Sequence, residues 1–530
     1  MANDFDAIVI GSGFGGAVVA CRLSEAGYRV LVLERGRRWE VNDYPRKPGD
    51  AWIWNNERPE RENGWIDFRV FPNMAVVQGA AVGGGSLIYA NVSVEAKPDL
   101  FKQGWPPEIT YSELKPHYDK VGSMLRVRPV PGNQWPERTR LLKEAADKTG
   151  YGDRFRPLDL AVSFDESWNY DLPDPHNVRH SREITNPQGQ KQGTCVHLGN
   201  CDIGCEVKAK NTLDLTYIPQ AEKHKAEVRA LHLVRSITPT RDGYCVRFDR
   251  VENGILRPGT VCGRIVVVAA GSLGSTELLL RCRDEHGTLP KISTFLGRNW
   301  SSNGDFLTPA FHTSRDVRPT KGPTITGAID FLGENSLQGE HFFIEDGGFP
   351  DVAGNWLQSV SEEVSGGPRV RAWLETIRYL LRQQDPLRCA MPWFAQGRDA
   401  ADGQLYLRRR WWLFGNRVLG LNWDINKSEK TINAIVRMHE ALARATGGDP
   451  FVPLTWTISK DLITPHPLGG CNMGTTPNNG VVDHKGEAFG YTNLFVADGS
   501  IVPEAIGANP SKTIAALAER IAGLITAEGR

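Results

Sequence analysis

The stretch that decides the fold lies at the start of the chain and reads Asp4-Phe-Asp-Ala-Ile-Val-Ile10, Gly11-Ser-Gly13-Phe-Gly-Gly16, Ala17-Val-Val-Ala-Cys-Arg-Leu-Ser-Glu-Ala-Gly27. The first piece is an apolar, β-branched run typical of a buried parallel strand. The third piece has helical spacing and a glycine stop. Arg29-Val-Leu-Val-Leu-Glu34 then predicts a second strand that ends in a carboxylate. This order of strand, glycine turn, helix and strand predicts a parallel α/β unit.

The glycine turn has the spacing of a dinucleotide-binding site. Gly11 permits the tight turn, Gly13 lets a pyrophosphate approach the backbone, and Gly16 allows the helix to pack closely on the strand. The start of the helix offers N–H groups and a positive dipole to the phosphates. Glu34, 23 positions after Gly11, would accept hydrogen bonds from the adenosine ribose hydroxyls. The predicted cofactor contacts here are Gly11, Gly13, Phe14, Gly15, Gly16 and Glu34.

Later glycine clusters favour FAD over NAD as the dinucleotide. Residues 79–88 hold a glycine run that can crowd a ligand, bracketed by Val, Leu and Ile residues that flexible linkers lack. A third predicted strand, Arg264–Ala270, leads through Gly271 into the helical Glu277–Arg281, another strand–turn–helix unit suited to a nucleotide. The predicted cofactor contacts in these clusters are Gly83, Gly84, Gly85, Ser86 and Gly271.

The C-terminal part carries three further motifs and a closing apolar helix, Ile514–Ile525. The motifs are His466-Pro-Leu-Gly-Gly470-Cys, Asn493-Leu-Phe-Val-Ala-Asp498-Gly499-Ser500 and Ile506-Gly-Ala-Asn509-Pro510-Ser-Lys-Thr513. Together with the fingerprint, Gly83–Leu87, Tyr111-Ser-Glu-Leu-Lys and Ala270-Gly-Ser-Leu-Gly-Ser-Thr-Glu-Leu-Leu, they stand in the expected order. Over nearly its whole length the chain resembles the glucose–methanol–choline (GMC) family of flavin oxidoreductases, and within it the cholesterol oxidase branch.

The resemblance implies an α/β Rossmann-like FAD-binding domain interleaved with an α+β substrate-binding domain built on a β-sheet. We place the FAD-binding domain at residues 1–130, 190–300 and 460–530, and the substrate-binding domain at 131–189 and 301–459. No attachment site like those of relatives is evident, so FAD is expected to bind non-covalently.

The same resemblance implies roles for individual residues at the cofactor. Val234 would contact the adenine through its backbone. Asp498 and Gly499 would hold the pyrophosphate or the ribityl chain, and Asn509 and Pro510 would lie near the pyrimidine end.

Oxidising an alcohol moves a hydride to the flavin N5 and removes the hydroxyl proton, so the protein must orient the hydroxyl and take up its proton. A neutral imidazole beside an amide suits this task, and His466 and Asn509 stand at the family's motif positions. Glu345, in the strand-like Phe342–Asp346, resembles the glutamate with which cholesterol oxidases move a steroid double bond into conjugation. The alternative is a surface glutamate at a strand end. The predicted catalytic residues are His466, Asn509 and Glu345.

The favoured function is oxidation of a secondary alcohol, a 3β-hydroxysteroid or another bulky lipid alcohol, with oxygen or another electron acceptor. Some residues depart from the branch near the substrate wall: Pro465 and Ser511 replace aromatic residues, Lys512 follows, and Tyr89 stands where many relatives have Asn. Two alternatives therefore stay open. One is a GMC enzyme for long-chain, aromatic or sugar alcohols, and the other is the flavin subunit of an electron-transfer dehydrogenase complex.

Cys195, Cys201 and Cys205 form a cluster whose favoured interpretation is a structural turn, and no metal is predicted. The alternatives are a disulfide or redox pair, and a metal or iron–sulfur site with His197 as the nearest further ligand. The odd total of nine cysteines, spread over a long chain, favours reduced thiols in a cytoplasmic setting.

Charge and hydropathy exclude several classes of protein. The 530 residues carry 62 basic and 62 acidic side chains, whereas a nucleic-acid binder would show a basic excess. No run approaches the ~20 apolar residues of a membrane-spanning helix, and no export signal is seen at the N-terminus. Residues 351–420 are the least family-like, and the helical stretch within them is expected to be a lid or core-packing helix with solvated arginines. The alternative is a membrane-surface patch made of the apolar face Val370, Trp373, Leu374, Ile377 and Leu381 with neighbouring arginines, followed by Arg408-Arg-Arg-Trp411-Trp412.

Overall fold

The computed structural model describes residues 3–47, 49–350, 387–409, 417–453, 456–457 and 460–529. The α-helices of these residues are Phe14–Glu25, Tyr111–Met124, Glu137–Lys148, Tyr217–Lys223, Gly271–Leu280, Ile425–Ala445 and Ser511–Ala527. In this part of the chain no helix is long and apolar enough to cross a membrane.

A seven-stranded sheet, called the first sheet, is built around the N-terminal strand. Its strands in spatial order are Glu227–Arg229, Val30–Leu33, Phe5–Ile10, Ile255–Val268, Tyr244–Glu252 and His232–Pro239, with Leu494–Val496 also paired to Ile255–Val268. The strands around Phe5–Ile10 are parallel, and the last two in the order are antiparallel. Ala7 to Ile10 are buried on both faces, as the β-branched run predicts.

The second sheet has six strands and is antiparallel throughout. Its strands in order are Asp449–Pro450, Phe306–Phe311, Ala390–Gly397, Phe342–Asp346, Gly327–Phe331 and Phe155–Pro157. Phe342, Phe343 and Ile344 are fully buried in its centre. Because Phe342–Asp346 is a central strand, the side chain of Glu345 points into the protein rather than lying at an exposed strand end.

Smaller sheets complete the described part of the chain. A four-stranded sheet has the order Leu462–Thr464, Met74–Gly79, Ile66–Phe71 and Ile53–Trp54. Three two-stranded ribbons pair Ile184–Thr185 with Lys191–Gln192, Gln404–Arg409 with Arg417–Asn422, and Arg128–Pro129 with Asp159–Leu160.

Three sequence expectations need adjustment. The helix expected from Glu277 begins at Gly271, and the closing helix begins at Ser511 rather than Ile514. The expectation that all cysteines are reduced is wrong for one pair, since Cys245 and Cys262 form a disulfide. These two residues lie directly opposite each other on neighbouring antiparallel strands, a pairing that the separation of 17 positions along the chain did not suggest.

Candidate active site

A cavity of about 930 Å³ is lined by residues of the first, second and four-stranded sheets. Its wall includes the glycine turns of the N-terminal half and the C-terminal motif residues, which are far apart in sequence. Ten of the residues predicted at the cofactor line this cavity: Gly11, Gly13, Phe14, Gly15, Glu34, Gly84, Gly85, Val234, Gly271 and Asp498. His466, Gly499, Asn509 and Pro510 line it as well.

The fingerprint turn opens the first helix toward this cavity. Gly13 is the N-cap of the helix Phe14–Glu25, and no side chain caps it. A methyl group added at Gly13 would meet no heavy atom within 4 Å, so its backbone faces open space. A helix N-terminus that faces a cavity offers its N–H groups and positive dipole to an anion. This part of the wall fits the pyrophosphate of a dinucleotide.

Two other fingerprint glycines serve packing. A Cβ at Gly16 would overlap the Gly11 carbonyl oxygen, and one at Gly15 would overlap the Ala497 carbonyl oxygen. Gly16 itself does not line the cavity. Any side chain here would push the helix off the strands, because a Cβ cannot approach a carbonyl oxygen this closely.

The Glu34 carboxylate holds the turn as well as facing the cavity. It accepts hydrogen bonds from the Ser12 backbone N–H at 2.9 Å, the Ser12 hydroxyl at 2.7 Å and the Gly36 N–H at 2.8 Å. Burial raises the pKa of Glu34, and these donors partly offset that effect. Its remaining lone pairs could accept from ribose hydroxyls.

The glycine run divides into cavity residues and supporting residues. Gly84 and Gly85 line the cavity, and a methyl group at Gly85 would meet nothing within 4 Å. Gly83 and Ser86 lie behind them. The Ser86 hydroxyl donates to the Gly83 carbonyl at 2.7 Å and accepts from the Leu213 N–H at 3.0 Å, so it fixes the shape of the turn.

At the far end of the cofactor region, the antiparallel ladder is irregular at Val234. The pairing shifts between Val234 and Ser236, so Arg235 has no partner residue on the facing strand. Such a bulge frees backbone groups from the ladder. Val234 lies directly beside this bulge and lines the cavity.

The Asp498 carboxylate is occupied by protein groups. It accepts from the Gly271 N–H at 2.8 Å, from the Ser500 N–H at 2.8 Å, and from the hydroxyls of Ser275 and Ser500. Asp498 therefore joins the second strand–turn–helix unit, at Gly271, to the C-terminal motif, and Gly499 presents backbone beside it. The buried Asp498 carboxylate thus shapes the cofactor region by holding the turn at Gly271 in place.

His466 is paired with a buried carboxylate that sequence reasoning missed. Its Nδ1 lies 2.9 Å from Asp305 Oδ1 and 3.1 Å from Oδ2, so Nδ1 carries the proton and donates it, which leaves Nε2 as an acceptor. Burial alone would lower the pKa of His466, but the charge and hydrogen bond of Asp305 raise it above its ordinary value. The imidazole is therefore held in the tautomer that a base requires.

One short segment positions both His466 and Asn509. The Asn303 side chain donates to the Ala508 carbonyl at 3.0 Å and accepts from the Gly507 N–H at 2.8 Å, which fixes the loop before Asn509. Two residues later, Asp305 binds His466. The only sequence signal for this segment was the polar run Ser301-Ser-Asn-Gly-Asp305 immediately before an apolar strand.

Glu345 lies fully buried, at 0% exposure, so the surface alternative for it is wrong. Gln396 on the neighbouring strand donates to Glu345 Oε2 at 2.9 Å, whereas Oε1 has no hydrogen-bond partner within the described residues. Burial raises the pKa of Glu345 to about 8, and the Gln396 amide, the His466 charge and the Asn509 amide partly offset that rise. The carboxyl is therefore mostly protonated at neutral pH.

The three predicted catalytic residues thus come together. Asn509 Oδ1, like Glu345 Oε1, is buried without a hydrogen-bond partner among the described residues. Buried polar atoms in native proteins are almost always paired, so the unpaired Asn509 Oδ1 at the cavity wall indicates a missing ligand, whereas Glu345 itself does not line the cavity. Phe394 packs near the imidazole, with its ring centroid 6.3 Å from that of His466, and supplies an apolar wall.

A buried arginine braces the strand that carries Glu345. The Arg138 guanidinium, fully buried, donates to the carbonyls of Asp346 at 2.8 Å and Gly347 at 2.8 Å, and to those of three residues in the facing loop, Lys321, Pro323 and Thr324. The Asp346 carboxylate in turn accepts from the backbone N–H groups of Thr326 and Gly327. Together they fix the end of the cavity wall.

The cysteine segment shows the features of a packed turn. Cys195 Sγ accepts from the His197 N–H at 3.4 Å, and Cys205 Sγ accepts from the Ala209 N–H at 3.3 Å. Cys195, Cys201 and Cys205 form no disulfide, and within the described residues no group of His, Cys, Asp and Glu could hold a metal ion. His197 instead stacks on Trp168, with ring centroids 4.0 Å apart. These contacts fit the interpretation as a structural turn, which stays a prediction.

The departures from the branch fall into two groups. Tyr89, Pro465 and Ser511 line the cavity, as expected. Lys512 does not; its Nζ lies 3.1 Å from Glu95 Oε1, away from the substrate wall. The apolar face from Val370 to Leu381 and the tryptophans of Arg408–Trp412 lie outside the described residues, so the membrane-surface alternative stays a prediction.

Comparison with known proteins agrees with the resemblance seen in the sequence motifs. Residues 400–518 match the family model described as GMC oxidoreductase, and residues 9–40 match that of an NAD(P)-binding Rossmann-like domain. A cholesterol oxidase of Acinetobacter baumannii is 31% identical over 548 aligned residues, which cover 99% of this chain and 95% of that protein. The chain belongs to the GMC oxidoreductase family.

Further comparisons place this GMC oxidoreductase in the cholesterol oxidase branch. A cholesterol oxidase of Mycobacterium tuberculosis is also 31% identical, covering 99% of this chain and 91% of that protein. The crystal structure of a pyridoxine 4-oxidase from Mesorbium loti has a TM-score of 0.62 at 16% identity, covering 98% of both chains, which shows a shared fold. The predicted fold class and FAD cofactor are confirmed. This GMC oxidoreductase is an FAD-dependent alcohol oxidoreductase.

Proposed function

We propose that this GMC oxidoreductase oxidises the 3β-hydroxyl of a steroid to the ketone and then moves a 5-ene double bond into conjugation. The observation that carries the proposal is the fully buried Glu345 beside His466 and Asn509, with its Oε1 unpaired. Oxidising a simple alcohol needs a base and an orienting amide but no third, buried acid. A carboxyl with a pKa of about 8 both takes and returns a proton near neutral pH, which isomerisation requires.

The protein's part in the oxidation is proton transfer and orientation. His466 Nε2 accepts the hydroxyl proton, because Nδ1 is already engaged with Asp305. The Asn509 amide orients the carbinol, and Phe394 and Leu307 cover its apolar side and exclude water. Bound FAD supplies the two-electron acceptor for the carbinol hydrogen.

In the isomerisation, Glu345 acts as a proton shuttle. Its carboxylate removes a proton from C4 of the 5-en-3-one and returns the proton to C6, so the double bond moves and no oxidation state changes. Gln396 keeps the carboxyl in place through Oε2, which leaves Oε1 to face the substrate.

The residues that would hold FAD are those of the cavity wall described above: the fingerprint turn at the pyrophosphate, Glu34 at the ribose, Val234 at the adenine, and Gly84, Gly85, Asp498 and Gly499 along the chain between the rings. Asn509 and Pro510 would lie toward the pyrimidine end. We expect this binding to be non-covalent, so that FAD is released intact when the protein is denatured.

The test is anaerobic mixing of purified holoenzyme with a panel of alcohols while the yellow flavin colour is followed. The panel contains a 3β-hydroxy-5-ene steroid, its 3-deoxy analogue, a long-chain alcohol, an aromatic alcohol and a sugar. Bleaching by the hydroxysteroid but not by its deoxy analogue supports the proposal, and His466→Ala should slow it. Faster bleaching by the other alcohols would contradict the steroid assignment. Repeating the reaction in air and with a dye separates oxygen from other electron acceptors.

A further inference from the structure

Asp202 is a carboxyl in the cavity wall that takes no part in the chemistry above. It lies in the short turn Cys201–Ile203, and both Asp202 and Ile203 line the cavity. The turn is anchored from behind, because buried Lys210 donates to the Cys201 carbonyl at 2.6 Å and to the Leu87 carbonyl at 2.9 Å. The position of Asp202 is therefore set by the protein and not by a ligand.

Asp202 belongs to the substrate end of the cavity. Its neighbour across the wall is Thr324, which with Ile325, Gly347 and Gly348 also lines the cavity. Gly347 follows Glu345 by two positions, immediately after the end of the strand Phe342–Asp346. Arg138 binds the Thr324 carbonyl at 3.0 Å and the Gly347 carbonyl at 2.8 Å, which joins this wall to the Glu345 strand. A substrate oxidised at His466 and Glu345 extends along this wall.

The half-buried Asp202 carboxyl has a single neighbouring hydrogen-bond donor, the Thr324 hydroxyl. Burial raises the pKa of Asp202 to about 6, and Lys210, Thr324 and Arg138 partly offset that effect. The group is therefore mostly ionised at neutral pH, and a partly desolvated carboxylate with one neighbouring donor is stabilised when a ligand supplies another.

The surrounding charges indicate which donor fits. Lys210 and Arg138 are both buried, and their N–H groups already bind carbonyls. The positive charges of these two residues offset the negative charge of the Asp202 carboxylate. A cationic group on the substrate would therefore add a positive charge without a partner. A neutral hydroxyl donates a hydrogen bond to Asp202 without that cost, and it can accept one from the Thr324 hydroxyl.

We propose that Asp202 and Thr324 form a binding subsite for a second hydroxyl group of the substrate, remote from the carbinol that is oxidised. The substrate class is then a diol with one hydroxyl at His466 and one at Asp202. This inference rests on the proposed function for the steroid skeleton, but the selection of a second hydroxyl does not depend on that skeleton.

The test compares substrates that differ in one group. Three 3β-hydroxysteroids carry a hydroxyl, a ketone or no group at C17, and a second series compares decan-1-ol with decane-1,10-diol. With the wild-type holoenzyme, kcat/KM is expected to favour the hydroxyl over the ketone at least about tenfold, since a carboxylate accepts from a hydroxyl and repels a carbonyl oxygen. In Asp202→Asn the amide donates to the ketone, so this ratio should fall to near one, mainly through KM.

The control is Glu206→Gln, four positions further along the same segment. Glu206 accepts from Asn200 at 2.8 Å and from Arg46 at 3.0 Å and does not line the cavity, so the ratio should stay at the wild-type value. The FAD content and the oxidation of the C17-deoxy steroid show whether Asp202→Asn is folded. If it is not, Asp202→Ser is used in its place.

The possible outcomes separate this inference from the proposed function. Loss of the diol preference in either series supports the subsite. Oxidation of the linear alcohols but of no steroid would overturn the steroid assignment alone, and the linear series then decides on Asp202. An unchanged ratio in both series, or a wild-type enzyme that prefers neither diol, would overturn the subsite. A shifted flavin spectrum with an unchanged ratio would show that Asp202 acts on the cofactor, which also overturns it.

Discussion

Replacing Glu345 with Gln should separate the two steps of the proposed reaction. Gln keeps the shape of the side chain and its contact with Gln396, but it cannot take up a proton. Alcohol oxidation depends on His466 and should stay within about threefold of wild type, whereas isomerisation should be lost, because general acid–base catalysis typically contributes 10²–10⁴-fold.

The pH dependence of isomerisation follows from the environment of Glu345. Burial raises its pKa to about 8, so the reactive carboxylate is the minor form at neutral pH. From that pKa, about a tenth is ionised at pH 7 and about half at pH 8. The isomerisation rate should therefore rise with pH, about tenfold from pH 6 to pH 7 and about fivefold from pH 7 to pH 8. Above the pKa it should level off.

The assay supplies the 5-en-3-one directly to the enzyme without oxygen, and the absorbance of the conjugated enone reports the rate. Glu345→Asp is the matched control, since it keeps an ionisable group at a shifted position and should retain part of the rate with a pH-dependent profile. A rate that does not change between pH 6 and pH 8, or full yield of conjugated enone from Glu345→Gln, would refute the assignment of Glu345.

Four other variants test the supports of the site. Asp305→Asn removes the charge that raises the pKa of His466, so the acidic limb of kcat/KM should move to lower pH while kcat falls about 10–100-fold, as a pH–rate profile would show. Gly13→Ala places a methyl group in the open cavity and should weaken FAD binding, measured by flavin fluorescence, while the apoprotein still folds. Gly15→Ala should prevent folding, seen by circular dichroism, because its Cβ would overlap the Ala497 carbonyl oxygen. Arg138→Met leaves Asp346 buried without its charge partner and should reduce the free energy of unfolding by about 3–5 kcal/mol in urea.

The Arg138→Met variant has a matched control. Lys143 forms an exposed ion pair with Asp147, and Lys143→Met should change the free energy of unfolding by less than about 1 kcal/mol. An equal loss in both variants would contradict the role of Arg138. An unmoved acidic limb in Asp305→Asn, or normal FAD affinity in Gly13→Ala, would contradict the corresponding assignments.

The nucleotide-binding unit could be predicted from sequence because its determinants are local. The strand Phe5–Ile10, the turn and the helix Phe14–Glu25 are consecutive, and glycine spacing and β-branched runs act through neighbouring residues. The same holds for Phe342–Asp346, which the sequence placed with its correct ends. Membership of the family was also evident, since several motifs occur in one order.

The reactive environment could not be predicted in this way. His466 and Asp305 are separated by 161 positions, and Glu345 and Gln396 by 51, so their contacts depend on strand register in the second sheet and on how the C-terminal loops pack against it. Burial, which sets the pKa of Glu345 and excluded a surface position for it, is likewise a property of the packed sheet. The Cys245–Cys262 disulfide and the place of Asp202 in the cavity wall could not be predicted for the same reason.

The amino-acid order alone determined that this chain folds around a dinucleotide and that an imidazole, an amide and a glutamate are available for chemistry, because those signals are carried by short consecutive segments. Only the tertiary structure decided which tautomer His466 holds, that Glu345 is buried, and that Asp202 lines the cavity beside Thr324, because hydrogen-bond partners and solvent exclusion are created when distant segments meet.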